Sequence, residues 1–391
     1  MLQACPVIPA SEFSLRCSRV QSILEKSGLD ILLAYSDDRA CHGNAYARYF
    51  ADVPAHFEEI LLLFVHGGDP VLLTGPETVC YAAEIGSFPH MEALSEFADP
   101  AEDYPFIELH SLVDVLLRYA GAKIRRVGLA GTRYWGAKLL QSVREAIPGA
   151  EFLEADEPLQ QLRSIKTPSE IAVIRYAYQI ASAGIRAAYE AIRPGLTERE
   201  IAAEAEYAMR SLGAEGYGID PIVASGPNSR HILARTTLRR IEPNDVVLLT
   251  LAPRYAGYHG ACGRTVLVGD PGAATVRSVE AGIEAQAICA EKLRAGVIGK
   301  DAEQAGRERM AAAGYRENFS YSGLHSIGVE EFEPPILGPS SNTVLRTNMV
   351  VSIDIPLFEA CNVYGSRIED GYLIKQGDPE CLTAVERLLR K

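Results

Sequence analysis

The stretch Asp245-Val-Val-Leu-Leu-Thr-Leu-Ala-Pro-Arg-Tyr-Ala-Gly-Tyr-His-Gly-Ala-Cys-Gly-Arg-Thr265 decides how the rest of the chain reads. Val246 to Leu251 is apolar except at Thr250, too short for a helix and branched enough for a buried strand. Gly257-Tyr258 then turns the chain into a second strand, Arg264 to Val268. The pattern predicts a hairpin deep in a sheet.

Long helices precede and follow it. Thr167-Pro-Ser-Glu170 reads as a capping box with proline at the first helical position, and an apolar stripe runs on through Ile171, Ile174, Ala177, Tyr178, Ala181, Ile185 and Ala188. Arg193-Pro-Gly breaks that helix, and Thr197-Glu-Arg-Glu200 starts another. A second helix pair, Ala274 to Arg294 and Ala302 to Ala313, is joined by Gly296-Val-Ile-Gly. The two halves repeat one element order, which implies a sheet with helices on one face and a cleft on the other.

Upstream, a helical stripe of Leu15, Val20, Ile23 and Leu24 ends at Gly28, where a left-handed cap is expected. Strands follow at Asp30 to Tyr35, Ile60 to Val65, Pro70 to Thr74 and Arg125 to Ala130, the middle pair as a hairpin, with a helix over Tyr134 to Ala146. The chain therefore divides into an α/β unit, 1–158, and an α+β unit, 159–391.

At 391 residues, 48% hydrophobic and 23% charged, the chain is long enough for two cores. A net charge of −13 argues against nucleic acid or an anionic membrane as partner. No apolar run reaches the roughly 20 residues of a membrane span, and the amino terminus lacks the charged start of a signal peptide. The eight cysteines are scattered without a Cys-x-x-Cys pair, so they are read as reduced thiols of a cytoplasmic protein.

The hairpin, Ala224-Ser-Gly-Pro-Asn228, Gly323-Leu-His-Ser-Ile-Gly-Val-Glu-Glu-Phe-Glu-Pro-Pro335 and Gly365-Ser-Arg-Ile-Glu-Asp-Gly371 together resemble the methionine aminopeptidase, prolidase and creatinase superfamily. The resemblance implies a creatinase-like N-terminal domain, a pita-bread catalytic domain and a homodimer. In the metallopeptidases of that superfamily two aspartates, a histidine and two glutamates hold two divalent ions. Carried over by motif, the aspartate positions fall on Thr250 and Ala261, the histidine is His325, and the glutamate positions hold Asp354 and Glu369. Two assisting histidines fall on Leu233 and Phe332.

Two dications about 3.5 Å apart repel by roughly 19 kcal/mol at an effective dielectric near 20, which bridging carboxylates must offset. Ala261 supplies nothing and Thr250 only a neutral hydroxyl. The expectation is therefore a creatinase-like hydrolase that uses no metal or other cofactor and cleaves a non-peptide C–N bond, in an amidine, urea or amide, of a small nitrogen-rich molecule. Two alternatives stay open: a peptidase of the Xaa-Pro type with one ion on His325, Asp354 and Glu369, and a binding protein without catalysis.

The candidate residues follow. His325 and His231 are proton carriers, since a neutral imidazole can take and return a proton near neutral pH; His231 reads equally as an exposed loop residue. Glu369, as a catalytic carboxylate, and Asp354 fall on neighbouring buried strands and need partners such as Arg367, Arg264 or a substrate cation. Strand alternation puts Glu331 and Glu333 on one face and Glu330 on the other, with Glu331 a substrate contact. Tyr258 and His259 follow the hairpin turn, as core residues or as substrate contacts. In the N-terminal domain, Phe57 and Glu59 match a superfamily segment that reaches substrate.

Overall fold

The computed structural model describes residues 5–39 and 45–391. Cys41 lies outside the described residues; the other seven cysteines are free thiols. Contacts divide the chain into two units, Ile8–Arg163, and Ser164–Lys391 with the segment ending at Val7. Among the described residues no helix is long and apolar enough to cross a membrane.

The first unit contains helices α1 (Ala10–Ser27), α2 (Ala45–Ala51), α3 (Val79–Ile85), α4 (Leu112–Tyr119), α5 (Ala137–Ala146) and α6 (Asp156–Ser164). Its strands are β1 (Ile31–Ser36), β2 (Ile60–Val65), β3 (Val71–Thr74), β4 (His90–Leu94), β5 (Leu109–His110), β6 (Arg126–Ala130) and β7 (Glu151–Glu154). They form one sheet in the order β5-β4-β3-β2-β1-β6-β7. The expected β2–β3 hairpin is antiparallel, and β1 pairs parallel with β6. Gly28 ends α1 in the left-handed region at φ 61°, a conformation cheap only for glycine. Val20 and Leu24 are buried as the stripe predicts, whereas Leu15 faces outward, 48% exposed. The helix expected from Tyr134 begins at Ala137, because Thr132–Tyr134 closes a single 3-10 turn first.

The second unit has α7 (Pro168–Ala191), α8 (Glu198–Ser211), α9 (Ala273–Lys292) and α10 (Gly299–Ala312). Both capping boxes form, on Thr167 with Glu170 and on Thr197 with Glu200. The strands are β8 (Gly216–Tyr217), β9 (Ile222–Ser225), β10 (Val246–Leu251), β11 (Pro253–Tyr255), β12 (Tyr258–His259), β13 (Cys262–Leu267), β14 (Leu324–Ser326), β15 (Glu333–Ile336), β16 (Val350–Leu357), β17 (Ser366–Leu373), β18 (Glu380–Cys381) and β19 (Leu388–Arg390). The main sheet runs β15-β14-β16-β17-β13-β10-β9. The quoted stretch supplies its antiparallel β10–β13 pair, but the hairpin is not simple: between them the chain leaves the sheet, and β11 and β12 join β8 in a separate three-stranded sheet.

Period-two alternation decides what each strand offers. Val247, Leu249 and Leu251 of β10, with Cys262 and Val266 of β13, share a core with the apolar stripes of α7 and α8. Val351, Ile353 and Ile355 of β16 do the same with α9 and α10. The alternate positions, Thr250, Ser352, Asp354, Arg367, Glu369 and Gly371, therefore fall on the opposite face. Register reinforces this grouping: Asp354 lies directly across from Glu369, Ser352 across from Gly371, and His325 across from Ser352.

Candidate metal centre

His325 is 2% exposed. Its Nδ1 lies 2.9 Å from the carbonyl of Ser326, which can only accept, so Nδ1 carries the proton and Nε2 keeps its lone pair. The ring packs on Phe332 with centroids 4.3 Å apart. Glu369, 2% exposed, accepts a 2.8 Å hydrogen bond from Ser352 Oγ. Ligand atoms of His325, Glu331 and Glu369 all lie within 4.8 Å of one another. One imidazole nitrogen and two carboxylates converging on one point form an acceptable set for a single divalent cation. Burial, then the neighbouring charges of Asp354 and Glu331, push the Glu369 carboxyl well above its ordinary range, with Arg367 opposing in part. Negative charge gathered out of water attracts a cation or a proton.

Asp354, which the sequence offered as the third ligand of a single-ion site, is engaged elsewhere. Its Oδ2 accepts a 2.6 Å hydrogen bond from the Tyr321 hydroxyl, and its Oδ1 lies 3.4 Å from Arg367 Nε. Arg367 donates through Nη1 to Thr250 Oγ1 at 3.1 Å and through Nη2 to Tyr321 at 2.8 Å, with its guanidinium 5.3 Å from the Phe358 ring centroid. Burial pulls Arg367 downward, but Asp354, Tyr321 and Glu369 together outweigh it and the guanidinium stays protonated. Burial also pushes the Tyr321 phenol far upward. The result is a knot of four side chains around one fixed positive charge, with Glu331 in the place the sequence had reserved for Asp354.

The expected alternation of Glu330, Glu331 and Glu333 does not occur, because β15 starts only at Glu333 and the residues before it form bends. Glu333 is fully buried and paired with Lys166, while Glu331 is half-buried. Tyr258 is a core residue whose hydroxyl donates to Glu170 at 2.8 Å, and buried His259 meets the Gly328 carbonyl at 3.2 Å through Nδ1. Arg264 pairs with Asp370 rather than with either site carboxylate, and its Nη1 holds the Glu369 carbonyl at 2.8 Å. His231 is exposed, just after the 3-10 turn Gly226–Arg230, and is not among the three converging residues. In the other unit, Glu59 is tied to Arg39 at 2.7 Å, and Phe57 is 77% exposed with a left-handed backbone at φ 66°.

Sequence reasoning missed Ser352, Tyr321 and Tyr178. Ser352 was within reach, two residues before Asp354 and so on the same face of β16. Tyr178 was seen only as part of the apolar stripe of α7. Its phenol is fully buried, and burial followed by the charge of Glu369 pushes its ionisation well upward.

Residues 172–376 match the model of metallopeptidase family M24, and residues 16–165 match the creatinase/prolidase N-terminal domain. A Xaa-Pro dipeptidase of Pyrococcus horikoshii is 30% identical over 83% of this chain and 91% of its own length. One from Pyrococcus furiosus is 29% identical over 93% and 99%. The crystal structure of the Pyrococcus horikoshii OT3 prolidase superposes with a TM-score of 0.82 at 27% identity, covering 95% of this chain and 99% of that one. These findings overturn two expectations. Metal-free hydrolysis of a non-peptide C–N bond gives way to peptidase chemistry, and the expected lack of a cofactor conflicts with a family of metal-dependent enzymes. The physical reason lies in the donor set, since His325, Glu331 and Glu369 form an imidazole-and-carboxylate cluster that draws on neither Thr250 nor Ala261. With the pita-bread unit and its N-terminal partner domain both matched, the chain belongs to metallopeptidase family M24 and is a hydrolase.

Proposed function

We propose that this protein is a peptidase of the Xaa-Pro dipeptidase type that works with one divalent ion per subunit, held by His325, Glu331 and Glu369. The convergence of those three ligand atoms within 4.8 Å carries the reading. A second ion lacks donors: Ala261 offers a methyl group, and Thr250 Oγ1 already accepts from Arg367. When bound, the ion would polarise a peptide carbonyl and lower the pKa of a coordinated water.

The chain's own residues do the rest. Ser352 orients Glu369, the Ser326 carbonyl fixes the His325 tautomer, and Arg367 places a permanent positive charge on the same sheet face. The relatives' names support a dipeptide ending in proline as substrate. A homodimer in the cytoplasm, with residues 1–158 and 159–391 as the two domains, completes the proposal.

The test is metal content by plasma mass spectrometry on protein loaded with Mn²⁺ and desalted, followed by assay of Xaa-Pro dipeptides. About one ion per subunit is expected, lost in His325→Ala and in Glu331→Ala, together with cleavage that depends on it. Two ions per subunit, or an ion retained in Glu331→Ala, would refute the site.

A further inference from the structure

The phenol of Tyr178 belongs to the same site. Gly371 lies two residues beyond Glu369 on β17, so its missing side chain would point to the Glu369 face. A Cβ built on Gly371 would stand 2.0 Å from Tyr178 Cζ and 2.1 Å from its hydroxyl oxygen. The head of Tyr178 therefore reaches past the inner face of α7 and lies over β17 beside Glu369. It is 0% exposed.

Its hydroxyl has no hydrogen-bond partner among the described residues. The Ala261 backbone amide is the backbone group directed at it, and an amide N–H can only donate, so the phenol's own proton has no acceptor. A buried donor left unused costs stability, and a phenylalanine would fill the same space without that cost. A phenol with an ordinary pKa near 10 is protonated at neutral pH and available to donate.

We propose that Tyr178 donates a hydrogen bond to the substrate oxygen brought to the His325, Glu331 and Glu369 cluster, the carbonyl oxygen of the scissile peptide. This rests on the single-ion peptidase reading and adds to it a group aimed at the oxygen on which negative charge grows during attack. A donor fixed in a buried site needs no reorganisation when that charge appears.

The experiment compares wild type, Tyr178→Phe and Gly371→Ala in three measurements: melting of the metal-free protein, Mn²⁺ affinity by calorimetry, and kcat and KM on a Xaa-Pro dipeptide. Tyr178→Phe is expected to melt at or above the wild-type temperature, to bind Mn²⁺ within about twofold of wild type, and to lose about 10²- to 10³-fold in kcat. Gly371→Ala keeps the hydroxyl but displaces the ring, and is expected to lose kcat as well. Metal-free Tyr178→Phe melting several degrees lower would show a structural hydrogen bond and overturn the proposal, as would a kcat equal to wild type. A wild type that binds no Mn²⁺ and cleaves no dipeptide brings down the single-ion reading itself, which separates the two failures.

Discussion

Glu369 sits opposite Asp354, close to Glu331 and out of water, so its carboxyl holds a proton far more tightly in the fold than in the unfolded chain. Native stability from that proton is complete below the ordinary carboxyl value of 4.5 and is lost as pH rises from there toward the raised native value. Metal-free Glu369→Gln is therefore expected to melt higher than wild type at pH 7.5 and equal to it at pH 4, as scanning calorimetry at both values would show. Equal melting at both would mean that neither burial nor the neighbouring charges act on Glu369. A cation competes with the same proton, so affinity for Mn²⁺ should climb with pH in wild type. The sequence disclosed His325 and Glu369 through their motifs. It offered Glu331 only as a substrate contact, because the bends before Glu333 break the alternation on which its side-chain direction was judged, and it did not point to Tyr321, which meets Arg367 across 46 residues of chain.

At the level of elements, caps and periodicities were readable and long-range polar partners were not. Thr167, Glu170, Thr197 and Glu200 announced two helix starts, and alternation along β10, β16 and β17 sorted core from cleft. Glu198 shows what escaped. Fully buried at the start of α8, it accepts from the Ser225 amide and hydroxyl, the Asn228 side chain, and the Thr237 amide and hydroxyl, all at 2.6–2.9 Å. One carboxylate thus ties edge strand β9 to the loop that carries His231. Glu198→Ala leaves those donors buried and unmet, with an expected loss of roughly 3–5 kcal/mol in urea unfolding. A loss below about 1 kcal/mol would show that the loop relaxes to recover its hydrogen bonds.

At the scale of the molecule, the two units have separate cores. Leu61, Leu63 and Val127 pack in the first, and Val247, Leu249 and Val266 in the second. Every residue assigned to the ion lies in the second unit. Residues 164–391 expressed alone are expected to bind one Mn²⁺ per chain by plasma mass spectrometry, and failure of the folded fragment to do so would refute the three-residue site.

Arg367 has one more consequence. A charge carried on a side chain cannot be stripped by a chelator or lost when the surroundings run short of metal. Thr250, Tyr321 and Asp354 hold that charge through contacts of the protein's own side chains. On the single-ion reading, metal-free protein is therefore expected to keep this arrangement and to regain activity on addition of Mn²⁺ without refolding.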